Sequence, residues 1–325
     1  MNRPITERGL PQSAPDLAAI RAAHARIAPY IHRTPVITCS TLDEIAGAQL
    51  FFKCENLQKT GSFKMRGAVN AVFSLSDEEA RNGVAAPSSG NHAAALALAA
   101  RRRGIPAYIV MPSNSSATKR QAVESYGGKI TECEPSMASR EATSAAVIQT
   151  TGAHLVHPYN DPRVIAGQGT AALELLDDVP DLDAIITPVS GGGLLSGTAI
   201  AAKGVRPGIR VIGGEPRNAD DTARSLALGK IEPASPCETM ADGLRATLCA
   251  LTFSILSALL DQVSLVEEEE IVSTMLLLWE RTKLVVEPSG SVAAAPALLR
   301  RIGAEGKRVG VILSGGNLDL RHLPF

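Results

Sequence analysis

Lys64 stands in the run Thr60-Gly61-Ser62-Phe63-Lys64-Met65-Arg66-Gly67, between an apolar stretch at 49–54 and a helical pattern at 68–73. A lysine at such a turn, beside small residues and the free N–H groups of a new helix, can hold a carbonyl compound as a Schiff base with a phosphate nearby. Three more small, polar turns follow apolar stretches: Ser88-Ser89-Gly90-Asn91-His92, Ser190-Gly191-Gly192-Gly193-Leu194 and Ser314-Gly315-Gly316-Asn317. In open α/β sheets, ligands bind where strands end and loops turn into helices. One glycine-rich turn is ordinary, but four in corresponding places point to backbone closing on one ligand. Ser190 to Leu194 suits phosphate best. Its consecutive glycines let N–H groups converge, and Leu194 starts a helix whose positive end faces the anion.

The elements that must carry these turns alternate in type. Strand patterns lie at 49–54, 84–86, 107–111, 129–132, 154–156, 184–187, 211–213, 262–266 and 308–313. Helical patterns lie at 16–27, 92–103, 117–126, 139–151, 169–176, 194–202, 222–228, 267–283 and 291–302. Strands separated by helices predict open, mostly parallel, doubly wound α/β sheets. About nine strands are more than one such unit usually holds. The expected organisation is a smaller domain at 83–160 inserted in a larger one made of 1–82 and 161–325.

Other ligand classes fit less well. Gly191-x-Gly193 with Gly197 and Glu215 imitates a dinucleotide fingerprint, but the third glycine of GxGxxG would fall on Ser196, and the chain's first strand does not carry the loop. No GxxxxGK[ST] run exists, which removes a P-loop nucleotide site. A net charge of −1 and 3% aromatic residues give no footprint for nucleic acid or an anionic membrane. Cys39, Cys54, Cys133, Cys237 and Cys249 are dispersed without a CxxC pair, as expected of reduced thiols in a cytoplasmic protein. The first ten residues, with Arg3, Pro4, Glu7 and Arg8, contain no apolar segment of signal-peptide type, and no apolar run is long enough to span a bilayer.

The four turns, in this order, resemble those of the pyridoxal-phosphate (PLP) enzymes of the tryptophan synthase β fold, and within it the serine racemase and serine/threonine dehydratase group. The resemblance runs over nearly the whole chain and includes His157-Pro158-Tyr159-Asn160 and Val164 to Thr170. It implies that Lys64 forms the Schiff base with PLP and acts as acid/base on one face, with Ser89 opposite it. It implies that Phe63 packs near the cofactor ring and that Asn91 bonds the 3′-oxygen. Gly191, Gly192, Gly193 and Leu194 would bind the phosphate through backbone N–H groups, and Ser314 would face the pyridine nitrogen. Ser88, Ser89, Gly90, Asn91 and His92 would hold the substrate carboxylate. Ser190 departs from the family, which has a glycine there; at a positive φ a serine would cost about 1–2 kcal/mol, which a hydroxyl bond to phosphate would offset. A hydroxyl rather than a carboxylate at the ring nitrogen makes the ring a weaker electron sink, which favours rapid loss of a β-leaving group.

The segment Glu215-Pro216-Arg217-Asn218-Ala219-Asp220-Asp221 reads from its residue types either as a strand-end acid followed by an aspartate helix cap or as a hard-cation site. The resemblance implies the second, with Glu215, the Ala219 carbonyl and Asp221 as ligands of Mg²⁺, Ca²⁺ or Mn²⁺, and Asp220 facing solvent. Glu287 is open between a place beside the cofactor and a helix-start acid. His24, His32, His154, His157 and His322 show no ligand spacing and read as structural or surface residues. The resemblance implies a dehydratase (ammonia-lyase) of serine, threonine or 3-hydroxyaspartate with serine racemase activity, acting as a homodimer on a small amino acid. Alternatives are a dehydratase specific for 3-hydroxyaspartate and a non-catalytic PLP-binding or sensing protein. The loops around Ser136 to Arg140 and around Arg163 are candidates to supply a cation for a β-carboxylate.

Overall fold

The computed structural model describes residues 10–235, 238–323 and 325. Residues 1–9, with Arg3, Pro4, Glu7 and Arg8, and also Cys237, lie outside the described residues. The strands are β1 (Val36–Ile37), β2 (Gln49–Cys54), β3 (Val84–Pro87), β4 (Ala107–Pro112), β5 (Gly128–Cys133), β6 (His154–Leu155), β7 (Ala184–Pro188), β8 (Arg210–Pro216), β9 (Gln262–Val266) and β10 (Arg308–Leu313). They form a six-stranded sheet in the order β1-β2-β10-β7-β8-β9 and a four-stranded sheet in the order β5-β4-β3-β6. Every pairing is parallel except the short edge pair β1–β2. The expected α/β architecture is therefore present. The added strand, β1, is too short to leave a sequence period.

Two helices differ from their sequence patterns, each for a local reason. The pattern at 169–176 belongs to a longer helix, Pro162–Asp178, whose start is fixed by Asp161 accepting from Arg163 N at 2.7 Å and by Pro162 in the first turn. The expected helix at 291–302 is instead two short pieces, Pro288–Ser291 and Ala295–Leu298. Pro296 has no N–H to donate and would clash with the carbonyl four residues back in a continuous helix. Among the described residues no helix is long and apolar enough to cross a membrane.

The helix Lys64–Ser74 sits between the two sheets. Its Met65, Val69 and Val72 share an apolar cluster with Val84, Ala86, Leu96 and Ile109 of the four-stranded unit. Its other side crosses helix Pro162–Asp178 so closely that a Cβ on Gly167 would lie 2.6 Å from Gly67 Cα and 2.7 Å from Arg66 O. Neither contact is with a movable side-chain end, so Gly167→Ala should lower stability by about 1–3 kcal/mol through forced separation of the two helices. Gly208→Ala, where a Cβ meets nothing within 4 Å, is the control and should change it by less than about 0.5 kcal/mol. Denaturant unfolding of both variants checks this; equal small effects would show that the crossing relaxes freely.

Candidate active site

Strand order brings the loops together. β2 and β10 are parallel neighbours with Cys54 beside Leu313, so the chain leaves both at the same edge. The two loops then join: Phe63 N donates to Ser314 O at 3.0 Å, Gly316 N donates to Gly61 O at 2.9 Å, and Ser62 pairs with Gly315. Closing this join requires left-handed backbone at Thr60 (φ 64°) and Gly61 (φ 72°). At Gly61 a Cβ would also strike Asn317 Oδ1 at 2.2 Å. β7, on the other side of β10, delivers Ser190 to Leu194, and β8 beyond it delivers Glu215.

Lys64 is the first residue of its helix. Its Nζ donates to Pro158 O at 3.2 Å and lies 5.0 Å from the centre of the Phe63 ring. Burial lowers the amine to about 8, which leaves a useful fraction unprotonated as nucleophile or base near neutral pH. The histidines around it are uncharged. His92 is held down to about 3, chiefly by burial and next by the Lys64 charge, and His157 is held down to about 4 for the same two reasons.

The second loop follows β3, the inner strand between β4 and β6. Gly90 precedes helix Asn91–Arg103, which has no side-chain N-cap, and a Cβ on Gly90 would meet nothing within 4 Å. Free amides facing open space suit a carboxylate. The Asn91 side chain is oriented from both ends: its Nδ2 donates to Glu287 Oε1 at 2.9 Å and its Oδ1 accepts from Asn317 Nδ2 at 2.8 Å. Asn317 Nδ2 also reaches Thr60 O at 2.7 Å. Of the two readings of Glu287, the helix-start acid is what the backbone shows, just before helix Pro288–Ser291, and its contact with Asn91 is what supports a place beside the cofactor. Burial, and secondarily Asp242, pushes the Glu287 carboxyl up to about 8. The His92 ring is buried, with Nε2 3.0 Å from Val156 O, so only the backbone of His92 is available to a carboxylate.

In the phosphate loop the left-handed residue is Gly192 (φ 85°), which precedes helix Gly193–Val205; that helix too lacks a side-chain cap. Among the described residues Ser190 is not one of those with positive φ, so the strain expected of a serine there does not arise. Its hydroxyl accepts from Ala246 N at 3.0 Å and donates to Ala246 O at 3.2 Å. That ties the loop to the following segment and occupies the Ser190 hydroxyl, so a phosphate here would be left to backbone N–H groups. Tyr159 carried no role in the sequence reading, yet its ring fills the space beside this loop. A Cβ on Gly191 would stand 2.4 Å from it. His157, read as structural, accepts from Asn160 N and Tyr159 N through Nδ1, at 2.9 and 3.3 Å, which places its proton on Nε2. Ser314 is buried at the end of β10.

At the end of β8 the cap that the first of the two readings gave to an aspartate comes from the strand-end acid instead. Glu215, not Asp221, caps helix Asp221–Leu228, accepting from Thr222 N and Ala223 N at 2.9 Å each. Asp221 is buried and its Oδ2 has no hydrogen-bond partner. Burial raises Glu215 to about 8 and Asp221 to about 6. Asp220 is not simply solvent-facing, because it pairs with Arg224 at 2.8 Å. Among the described residues no group of three or more His, Cys, Asp or Glu side chains stands together as a metal cluster, so a cation here would draw on backbone oxygen, as the expected Ala219 carbonyl does. Arg163 is held by Glu79 at 2.9 Å and stands by His154; of the two candidate cations for a β-carboxylate, Arg140 keeps an unpartnered Nε. The described cysteines, Cys39, Cys54, Cys133 and Cys249, are free thiols.

A lysine amine tuned by burial, two uncapped helix starts and a joined pair of strand-end loops form a site for a phosphorylated carbonyl cofactor. Residues 27–315 match the pyridoxal-phosphate dependent enzymes, and the chain belongs to that family. It is 51% identical over 312 residues to a serine racemase of Oryza sativa subsp. indica, covering 94% of this chain and 92% of the relative. It is 50% identical over 304 residues to a beta-hydroxyaspartate dehydratase of Paracoccus denitrificans, covering 94% and 96%. The solved structure of maize serine racemase superposes with a TM-score of 0.93 at 50% identity, covering 95% of both chains. The residues present fit PLP: side chains at Gly191 or Gly193 would collide with Tyr159, so the loop presents bare backbone to a phosphate. The orphaned Asp221 oxygen beside a buried Glu215 likewise fits a hard cation.

The raised Glu287 carboxyl has a consequence for stability. Its contribution is complete below the ordinary glutamate range and is lost as pH rises through about 8. Glu287→Gln keeps an acceptor for Asn91 but cannot ionise. Wild type should therefore lose stability relative to this variant by on the order of a few kcal/mol between about pH 5 and about pH 8. Parallel curves from urea unfolding would show that Glu287 is not held neutral.

Proposed function

We propose that the chain is an ammonia-lyase that converts serine, threonine or 3-hydroxyaspartate to a 2-oxo acid and ammonia, with serine racemase activity in the same site. Lys64 is the observation that carries this reading: an amine lowered to about 8, bonded to Pro158 one residue from the Tyr159 ring that backs the phosphate loop. Bound PLP supplies the carbonyl to which amines add and a conjugated ring that draws electrons from the substrate Cα. The helix starts at Asn91 and Gly193 hold the substrate carboxylate and the cofactor phosphate by backbone N–H groups. Asn91, fixed by Glu287 and Asn317, presents its remaining amide hydrogen to the cofactor. Lys64 takes the α-proton and returns a proton to the departing β-hydroxyl, which leaves as water. The released enamine hydrolyses to the 2-oxo acid and ammonia. A proton delivered by the Ser89 hydroxyl to the opposite face of Cα gives racemisation instead. Glu215, the Ala219 carbonyl and Asp221 hold Mg²⁺, Ca²⁺ or Mn²⁺, and the neutralised carboxylates then fix the loop after β8. The protein is read as a cytoplasmic homodimer, with 83–160 as its small domain and 1–82 with 161–325 as its large one.

Ammonia release from L-serine, D-serine, L-threonine and both 3-hydroxyaspartate diastereomers tests the reaction. At least one should turn over, and Lys64→Ala should reduce that rate by about 10³-fold or more. No turnover of any of them by PLP-loaded protein would overturn the reading. For the cation, EDTA should lower the melting temperature by several degrees, about 1 kcal/mol or more, and Glu215→Gln should remove that response. An undiminished EDTA effect in the variant would place the cation elsewhere.

A further inference from the structure

Ser89 and Lys64 reach the site from different sheets, Ser89 on the loop after β3 and Lys64 on the helix that follows β2. Chemistry that needs both on one carbon depends on how the two sheets are held across the opening. Inside it, Asn91 is tied to Glu287 and Asn317. Nearby an ion pair also crosses, from Lys119 Nζ to Asp242 Oδ2. Lys119 lies on helix Ala117–Ser125, which leaves β4, the neighbour of β3. Asp242 opens a 3-10 turn, Asp242–Leu244, anchored by Gly243 N donating to Ser289 Oγ at 3.0 Å and by the buried Ala241. The Asp242 turn is thus held at Ser289, two residues beyond the Glu287 that bonds Asn91. Its side chains are 40% and 50% exposed. Exposed pairs are weak and salt-screened, so this one can open to admit substrate and close again, which a buried pair could not do.

We infer that Lys119 and Asp242 are positioning residues that register Ser89 over the face of the substrate opposite Lys64, and so set the partition between racemisation and β-elimination. The inference rests on the proposed reaction. Elimination uses one acid/base: Lys64 removes the α-proton and the hydroxyl leaves as water. Racemisation removes the same proton but needs another delivered from Ser89, which recovers it from solvent. Loosening the pair therefore costs racemisation more than elimination.

The test uses holoenzyme: wild type, Lys119→Gln, Asp242→Asn, and the reversed pair carrying Lys119→Asp with Asp242→Lys. D-serine and 2-oxo acid formed from L-serine are measured in the same reactions, and amide hydrogen exchange is followed at residues 88–93. Each single variant should lower the racemisation-to-elimination ratio by roughly two- to fivefold, the range an exposed pair spans, and speed exchange at 88–93. The reversed pair should recover part of both. Raising NaCl from about 0.05 to about 0.5 M should lower the ratio in wild type and not in the single variants. An unchanged ratio with unchanged exchange in the single variants, or equal loss of both products without recovery in the reversed pair, would overturn the inference. If wild type forms neither product from serine, the proposed reaction fails, and the exchange comparison alone decides whether the pair holds the loop.

Discussion

The position of Lys64 depends on an ion cluster buried two residues further along its helix. Arg66 is fully buried and donates to both carboxylates that flank it, to Glu55 at 2.7 and 2.8 Å and to Glu174 at 2.8 Å from two nitrogens. Lys53 completes the set, donating to Glu174 and to Thr34 O at 2.7 Å each, and Thr34 Oγ1 donates to Glu55 at 2.6 Å. Burial alone would disfavour every one of these charges. Instead Glu55 and Glu174 hold Arg66 above its usual range, and His24, Arg66 and Lys53 bring Glu174 below its own. Two cations and two anions balance. Losing one partner would strand the others at about 3–5 kcal/mol, whereas replacing a whole buried ion set by well-packed apolar residues is often neutral or stabilising. The cluster's value therefore lies in register. Glu55 follows β2 directly and Glu174 is on helix Pro162–Asp178, so one guanidinium fixes the first turn of the Lys64 helix against both, and Lys53 within β2 joins them through Glu174.

That fixed start meets a close crossing further along. Gly67 lies against Gly167, and on the far side of the same helix Gly169 meets Gly197 of the phosphate-loop helix, where a Cβ would stand 2.7 Å from Gly197 O. Small residues at both crossings bring the Lys64 helix and the Gly193 helix onto one shared helix. The helix that begins at Lys64 and the helix that begins at Gly193 are thus placed by a single element between them. Displacement of Pro162–Asp178 would move both together, which preserves their spacing.

How much of this was legible follows from how local each signal is. The parallel sheets and the four turns show in the sequence because strand periods and small polar turns are written in neighbouring residues. The helix break at Pro296 could have been read from the proline alone; an alanine-rich pattern outweighed it. The Arg66 cluster could not be read. Its partners are 108 and 11 residues away along the chain, and a buried arginine has no pattern distinct from an exposed one. Tyr159 and Lys119 were unreadable for the same reason, since their meaning lies in what they face across the fold. Glu215 and Asp221 were found as a pair, but which carboxylate caps the helix depends on the angle at which β8 meets it.

The electrostatics around Lys64 now have a single logic. Burial acts on Lys64, His92, His157 and Glu287 alike toward the neutral form: the amine falls to about 8, the two imidazoles are held well below their usual range, and the Glu287 carboxyl rises to about 8. No neighbour in this set carries a fixed charge that would compete with an incoming phosphate or carboxylate. The positive potential comes instead from uncapped helix starts at Asn91 and Gly193, which are rigid and cannot transfer protons. Charge binding and proton movement are thereby separated. In the proposed reaction backbone N–H groups would hold the anions, and the mobile protons would be left to Lys64 and to the Ser89 hydroxyl. A cationic side chain in place of either helix start would bind the same anions, but it would also add a competing acid beside Cα.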